Sequence, residues 1–212
     1  MKLYGYFRSS AAYRVRIALN LKKLSYESIA VDLRKGQQYE PAYLALNPQG
    51  RVPALDIGGG VLTQSLAIIA YLDEIHPEPP FLPADHLLRA YARAFALTIA
   101  CDIHPLNNLS VLTYLRDDLR QDEAAVSRWY RHWIESRLPA LERTVADTRG
   151  EGVFCFGARP SLADIFLVPQ LYNARRLGCS LAGCARLIEI DEACRRLAAF
   201  AEAAPERQPD AS

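Results

Sequence analysis

At 212 residues the chain is long enough for one large domain or two small ones. Half of its residues are hydrophobic, 23% are charged and the formal net charge is +1. That balance is ordinary for a soluble globular protein, and nothing in it suggests a nucleic-acid or membrane partner.

The first element is a short apolar strand from Lys2 that turns at Phe7-Arg8-Ser9. A helix follows, with Ala11, Val15, Ala18 and Leu19 on one face. Ser9 and Ser10 stand at its start, where hydroxyls cap free backbone N–H groups and the partial positive charge can hold an anion. Two serines before a helix serve equally well as caps alone. Leu24–Val31 alternates apolar and polar as a strand does, and Leu33–Leu46 reads as a polar loop with an irregular helix. Strand, helix and strand joined this way predict a parallel βαβ unit. Val52–Ile57 and Val61–Thr63 flank Gly58-Gly59-Gly60 and predict a hairpin. Ser65–Ile75 closes the unit as a helix, with Leu66, Ile69, Ala70 and Leu72 on one face. The order βαβαββα is that of a thioredoxin-like α/β domain.

Pro77, Pro79, Pro80 and Pro83 then make a stiff linker. The expected division is an α/β domain over 1–78, a linker over 79–85 and an all-helical domain over 86–212. Within the last, a helix over 86–115 is interrupted at Pro105, and others run over Asp122–Asp147, Ser161–Asn173 and Ile190–Ala203. Pro205–Ser212 reads as a loose tail. No apolar run approaches transmembrane length, and Met1–Gly5 lacks a signal peptide's apolar region, so a cytoplasmic protein is expected. The five cysteines are odd in number and without a C-x-x-C pair, and the four histidines lack ligand spacing. Reduced thiols and no metal are therefore expected.

Ser9-Ser10-Ala11-Ala12-Tyr13-Arg14-Val15-Arg16-Ile17-Ala18-Leu19 resembles the S-S-C-x-x-R-V-R-I-A-L signature of zeta-class glutathione transferases. The class includes glutathione-dependent maleylacetoacetate and maleylpyruvate isomerases. The chain departs from the signature at Ala11, where the family has cysteine, so thiol–disulfide chemistry has no protein nucleophile there. Asn47–Leu55 is similar to the family's A-L-N-P-x-x-x-V-P block, and Gln64-Ser65-Leu66-Ala67-Ile68-Ile69 to its Q-S-L-A-I-I. Asn173-Ala174-Arg175-Arg176 is similar to N-A-x-R, and His104–Leu112 to a block ending P-L-x-N-L-S-V-L.

The resemblance implies glutathione as cofactor, bound by Ser9, Ser10, Ala11, Gln38, Val52, Gln64 and Ser65. Val52–Pro53 is expected to be cis, leaving Val52's backbone groups for an extended peptide ligand. Ser65 is expected to hold the γ-glutamyl carboxylate. His104, Asn108 and Ser110 are expected to line the cleft, with His104 and Asn108 sharing a helix face as an i,i+4 pair. Asp102 is expected to reach the glutathione amine across a homodimer interface. Arg8 and Arg176 are assigned to the carboxylates of a small dicarboxylate keto acid. A pair of arginines closing a helix against its dipole is the alternative at Arg175-Arg176, and only the family match selects Arg176.

The implied function is cis–trans isomerisation of maleylpyruvate or maleylacetoacetate in aromatic catabolism. Ser9, Ser10, Arg8 and Arg176 carry the chemistry in this reading. The alternatives are a general glutathione S-transferase conjugating small electrophiles and a non-catalytic interaction domain of the same fold.

Overall fold

The computed structural model describes residues 1–148 and 152–211. In chain order they form β1 (Lys2–Gly5), α1 (Ser10–Leu21), β2 (Glu27–Ala30), α2 (Pro41–Leu46), β3 (Ala54–Asp56), β4 (Val61–Thr63) and α3 (Ser65–Ile75). Then follow α4 (His86–Leu97), α5 (Leu109–Asp117), α6 (Glu123–Glu135), α7 (Leu138–Thr148), α8 (Leu162–Arg176), α9 (Ala185–Arg195) and α10 (Ala198–Ala201). They group into two compact units, one of Met1–Pro80 with the chain end from Arg196, the other of Phe81–Arg195.

The first unit has the expected βαβαββα order around a sheet of order β2-β1-β3-β4. β1 pairs parallel with β2 and antiparallel with β3, and β3 pairs antiparallel with β4. The parallel pair needs a long crossover, which α1 supplies. The β3–β4 pair closes at the glycines, where Ile57 N–H donates to Gly60 O at 3.0 Å and Gly58 N–H to Asp56 Oδ1 at 2.8 Å. α1 passes so close to β1 that a Cβ on Gly5 would stand 3.3 Å from Ala12 Cβ. Burial along α1 is continuous from Ser10 to Leu19, wider than its predicted face, because α3 and α10 both pack on it.

The chain end is anchored instead of loose. Arg16 donates from Nε to Ala203 O at 2.8 Å and from Nη2 to Phe7 O at 3.0 Å. Asn20 Nδ2 donates to Ala199 O at 3.0 Å, Pro205 is buried, and Asp210 Oδ2 accepts from Phe7 N–H at 2.9 Å. Burial pushes the Arg16 guanidinium down to about 10. These bonds draw the residues from Arg196 onward into the first unit, where the sequence pattern carries a helical domain to residue 212.

In the second unit α4 begins at its Asp85 cap, which accepts from Leu87 N–H and Leu88 N–H, each at 2.9 Å. The interruption expected at Pro105 starts earlier. Thr98–Ile103 is a wide π-helical turn, with His104 N–H donating to Ile99 O at 2.9 Å, and Pro105–Asn107 is a 3-10 turn. A proline ring clashes with the carbonyl four residues back, so the chain cannot pass Pro105 as a regular α-helix. The helix expected over 122–147 divides into α6 and α7 for the same reason. Pro139 near the start of α7 is incompatible with a continuous helix through Glu135, and Arg137 N–H turns back to Ile134 O at 3.1 Å.

A capping box at Ser161 starts α8 where the helix over Ser161–Asn173 is expected. Asp164 is fully buried and accepts from Ser161 N–H and Oγ–H, each at 2.7 Å, and from Cys155 N–H at 2.9 Å. The last predicted helix, Ile190–Ala203, is in fact α9, which starts at Ala185, and the separate α10.

Candidate functional site

The turn between β1 and α1 closes with Ser9 N–H donating to Tyr6 O at 2.9 Å. Ser9 is the N-cap of α1, its Oγ accepting from Ala12 N–H at 3.2 Å. That bond uses an oxygen lone pair and leaves the hydroxyl proton to donate. Ser10 is the first helical residue and is buried, as is Ala11. Arg8 precedes them, its guanidinium carbon 4.9 Å from the Phe7 ring centroid and its Nη2 donating to Tyr6 Oη at 2.9 Å. Arg8 Nε is buried with no hydrogen-bond partner among the described residues.

The Asn47–Pro53 loop is built from its own polar groups. The buried Asn47 donates from Nδ2 to Arg51 O at 2.7 Å and accepts at Oδ1 from Gln49 N–H at 3.1 Å. Tyr43 Oη–H donates to the same Arg51 O at 2.6 Å. Gly50 has φ +61° and faces the Tyr39 ring, where a Cβ would come within 3.0 Å. Both constraints demand glycine. The Val52–Pro53 peptide is cis, and no backbone hydrogen bond engages Val52 N–H or C=O among the described residues. Gln38 is buried beside Gly50, with an Oε1 that no donor reaches among the described residues.

Gln64 takes the cap position of α3 at φ +67°, a conformation rare outside glycine, and its Nε2 donates to Gln49 Oε1 at 3.1 Å. Ser65 is the first residue of α3 and buried, its Oγ 3.4 Å from Arg14 Nη1. Arg14, Asn47 and Tyr43 carry no assigned role in the sequence reading. For Arg14 a signal existed, since it falls three residues after Ala11 and four before Ala18, within the stripe read as apolar. A charge in a buried stripe marks a special environment.

The second unit carries the remaining candidates. Asp102 is exposed on the wide turn, His104 is half-buried and Ser110 is exposed in the first turn of α5. His104 and Asn108 do not share one helix face as expected. The proline-driven 3-10 turn separates them, and Asn108 is extended as the cap of α5, its side chain accepting from Ser110 N–H at 3.4 Å. At the end of α8 the two arginines divide. Arg175 Nη1 donates to the buried Asp191 Oδ2 at 2.6 Å, which also faces Arg195 Nη1 at 3.6 Å. Arg176 is exposed, and burial pushes the pKa of the nearby Tyr130 hydroxyl up to about 12.

Residues 1–74 match the family model of the glutathione S-transferase N-terminal domain, and 123–203 that of the glutathione S-transferase C-terminal domain. The chain belongs to the glutathione S-transferase family, in its zeta class. Among its relatives, a Pseudomonas aeruginosa maleylacetoacetate isomerase is 49% identical over 99% of this chain and 98% of its own length. A maleylpyruvate isomerase from Ralstonia sp is 47% identical over the whole of both chains. A solved holo structure of a bacterial zeta-class maleylpyruvate isomerase matches all of both chains with a TM-score of 0.98 at 47% identity. An Anaeromyxobacter dehalogenans maleylacetoacetate isomerase with bound glutathione matches with a TM-score of 0.88 at 45% identity, covering 100% of this chain and 97% of that one.

Proposed function

We propose that this protein is a glutathione-dependent cis–trans isomerase of a maleyl keto acid, converting maleylpyruvate to fumarylpyruvate or maleylacetoacetate to fumarylacetoacetate. The observation that carries the reading is the start of α1, where the capping Ser9 retains a donor proton and Arg8 stands immediately before it. Relatives named for these two reactions, at 47–50% identity along the whole chain, support it.

The first unit fits glutathione as an extended peptide with charged ends. Val52 offers both backbone groups to its main chain, Gln38 Oε1 offers an acceptor, and Ser65 at the start of α3 suits its γ-glutamyl carboxylate. Glutathione, when bound, supplies the thiolate whose reversible addition turns the cis double bond into a rotatable single bond before elimination gives the trans product. Ser9 and the N-terminus of α1 hold the sulfur in its ionised form. A thiol of pKa ~8.5 must fall by ~2 units to be mostly ionised at neutral pH, worth roughly 2.7 kcal/mol. Helix N–H groups and one charge-assisted hydrogen bond reach that value. Ala11 adds no thiol of its own. Arg8 and Arg176 bind the substrate's carboxylates and offset negative charge on its keto oxygen. Asp191 already engages Arg175, which supports assigning the role to Arg176.

A homodimer belongs to the same reading. Leu87 and Tyr91, exposed at i,i+4 on α4, are the apolar surface it would cover, and Asp102 would serve the glutathione amine of the partner. A cytoplasmic setting also belongs to it, since the five cysteines are free thiols and no helix among the described residues is long and apolar enough to cross a membrane. The test is stoichiometry. Turnover of either maleyl keto acid should require glutathione and return it unchanged, and S-methylglutathione should bind without supporting turnover. Glutathione consumed mole for mole with substrate would make the protein a conjugating transferase.

A further inference from the structure

Arg14 is among the largest fully buried side chains of the protein, 1% exposed, and it lies beneath the start of α3. Its Nη1 stands 3.4 Å from Ser65 Oγ. A guanidinium has N–H donors only and stays charged in proteins. The Ser65 oxygen can therefore only accept in this contact, and its hydroxyl proton must point elsewhere. A neutral amide in place of Arg14 could accept as readily as donate and would leave that direction open. The guanidinium also places a buried positive charge close to the positive end of α3. Both effects favour one class of ligand group at Ser65, a carboxylate.

We propose that Arg14 is a positioning residue for the glutathione site. From inside the first unit it holds the Ser65 hydroxyl as a donor and raises affinity for the γ-glutamyl carboxylate. It does so through Ser65, without being one of the groups assigned to glutathione. This rests on the glutathione reading above and adds to it a residue whose role is set by charge and hydrogen-bond direction.

The experiment is calorimetric titration of the full chain with glutathione and with γ-aminobutyryl-cysteinyl-glycine, which lacks only the carboxylate in question. Arg14→Met should weaken glutathione about tenfold to 150-fold, the span of one charge-assisted hydrogen bond. Affinity for the analogue should stay within about twofold, because the remaining contacts are untouched. Arg14→Lys, still a cationic donor, should recover most of the loss. Ser65→Ala added to Arg14→Met should weaken glutathione by less than about twofold more, since the two residues act as one unit. Equal weakening of both ligands, or unchanged glutathione affinity, overturns the proposal.

If the methionine variant does not fold, Arg14→Lys and Arg14→Gln carry the same comparison, with discrimination between the ligands kept by lysine and lost by glutamine. In the unaltered protein, the Arg14 side-chain N–H resonances should shift with glutathione and not with the analogue, and equal shifts overturn the proposal. A parent chain that binds neither ligand overturns the glutathione reading and this one together. A parent that binds glutathione while every Arg14 variant is indifferent to the carboxylate overturns this one alone.

Discussion

Replacing Ser9 by alanine separates the structural and chemical roles of one hydroxyl. Its oxygen caps α1 by accepting from Ala12 N–H at 3.2 Å. Loss of such a cap costs about 1 kcal/mol, or ~2–4 °C in melting temperature for a chain of this size. Its proton is assigned to the glutathione sulfur. A hydrogen bond to a charged group contributes about 1.5–3 kcal/mol, which at ~1.36 kcal/mol per unit is about 1–2 pKa units. The donor favours the ionised thiol, so its loss should raise the bound thiol's pKa by that amount and shift the rising limb of the rate profile to higher pH. The assay is ultraviolet absorbance of bound thiolate titrated against pH, alongside thermal unfolding of the free protein. Ser9→Thr, which keeps both functions, should behave as the parent. If Ser9→Ala melts earlier but leaves the bound thiol's pKa unchanged, Ser9 is a cap and nothing more, and the thiolate assignment passes to Ser10.

Arg176→Ala should lower kcat/KM for the maleyl keto acid by about tenfold to a hundredfold, from ~1.4–2.8 kcal/mol of charge-assisted binding, with glutathione affinity in calorimetry hardly changed. Lost glutathione binding with an unchanged KM for the acid would reverse the assignment of the two subsites. Ser65→Ala should weaken glutathione by roughly 1.5–3 kcal/mol in the same calorimeter. Asp164→Ala strips the acceptor from Ser161 N–H, Ser161 Oγ–H and Cys155 N–H, and should destabilise the protein by about 3 kcal/mol or more in denaturant unfolding. Sedimentation should give a dimer at micromolar concentration, and aspartate at Leu87 and Tyr91 should shift it toward monomer.

Much of the first unit was legible from local pattern. The alternation of its strands, the glycine turn between β3 and β4 and the stripe of α3 act within a few residues, so a one-dimensional reading finds them. The Ser161 capping box is equally local. The likeness to the zeta class singled out Val52–Pro53, and the cis peptide stands there. The break at Pro139 was open to the same reading, because a proline's clash is a property of its own turn. It was missed because apolar periodicity continues across it.

Other features depend on partners far along the chain. Nothing in Pro205–Ser212 announces that Asp210 will meet Phe7 N–H, and the segment looks polar and loose until α1 offers it donors. Arg175 and Arg176 are equivalent as sequence, and it is Asp191, carried in by α9, that takes Arg175. His104 and Asn108 have helical spacing, but the chain around Pro105 cannot keep a helical path between them. Arg14 shows only as a charge out of place, and its partner Ser65 is set by the packing of α3 on α1. The sequence alone determined the order of elements and the ends of several helices, because caps and periodicity are local. Tertiary structure decided which buried arginine meets the Ser65 hydroxyl, which arginine an acid holds and where the chain end rests. Each of those depends on a buried charge or hydrogen bond between residues that only packing brings within ~3 Å.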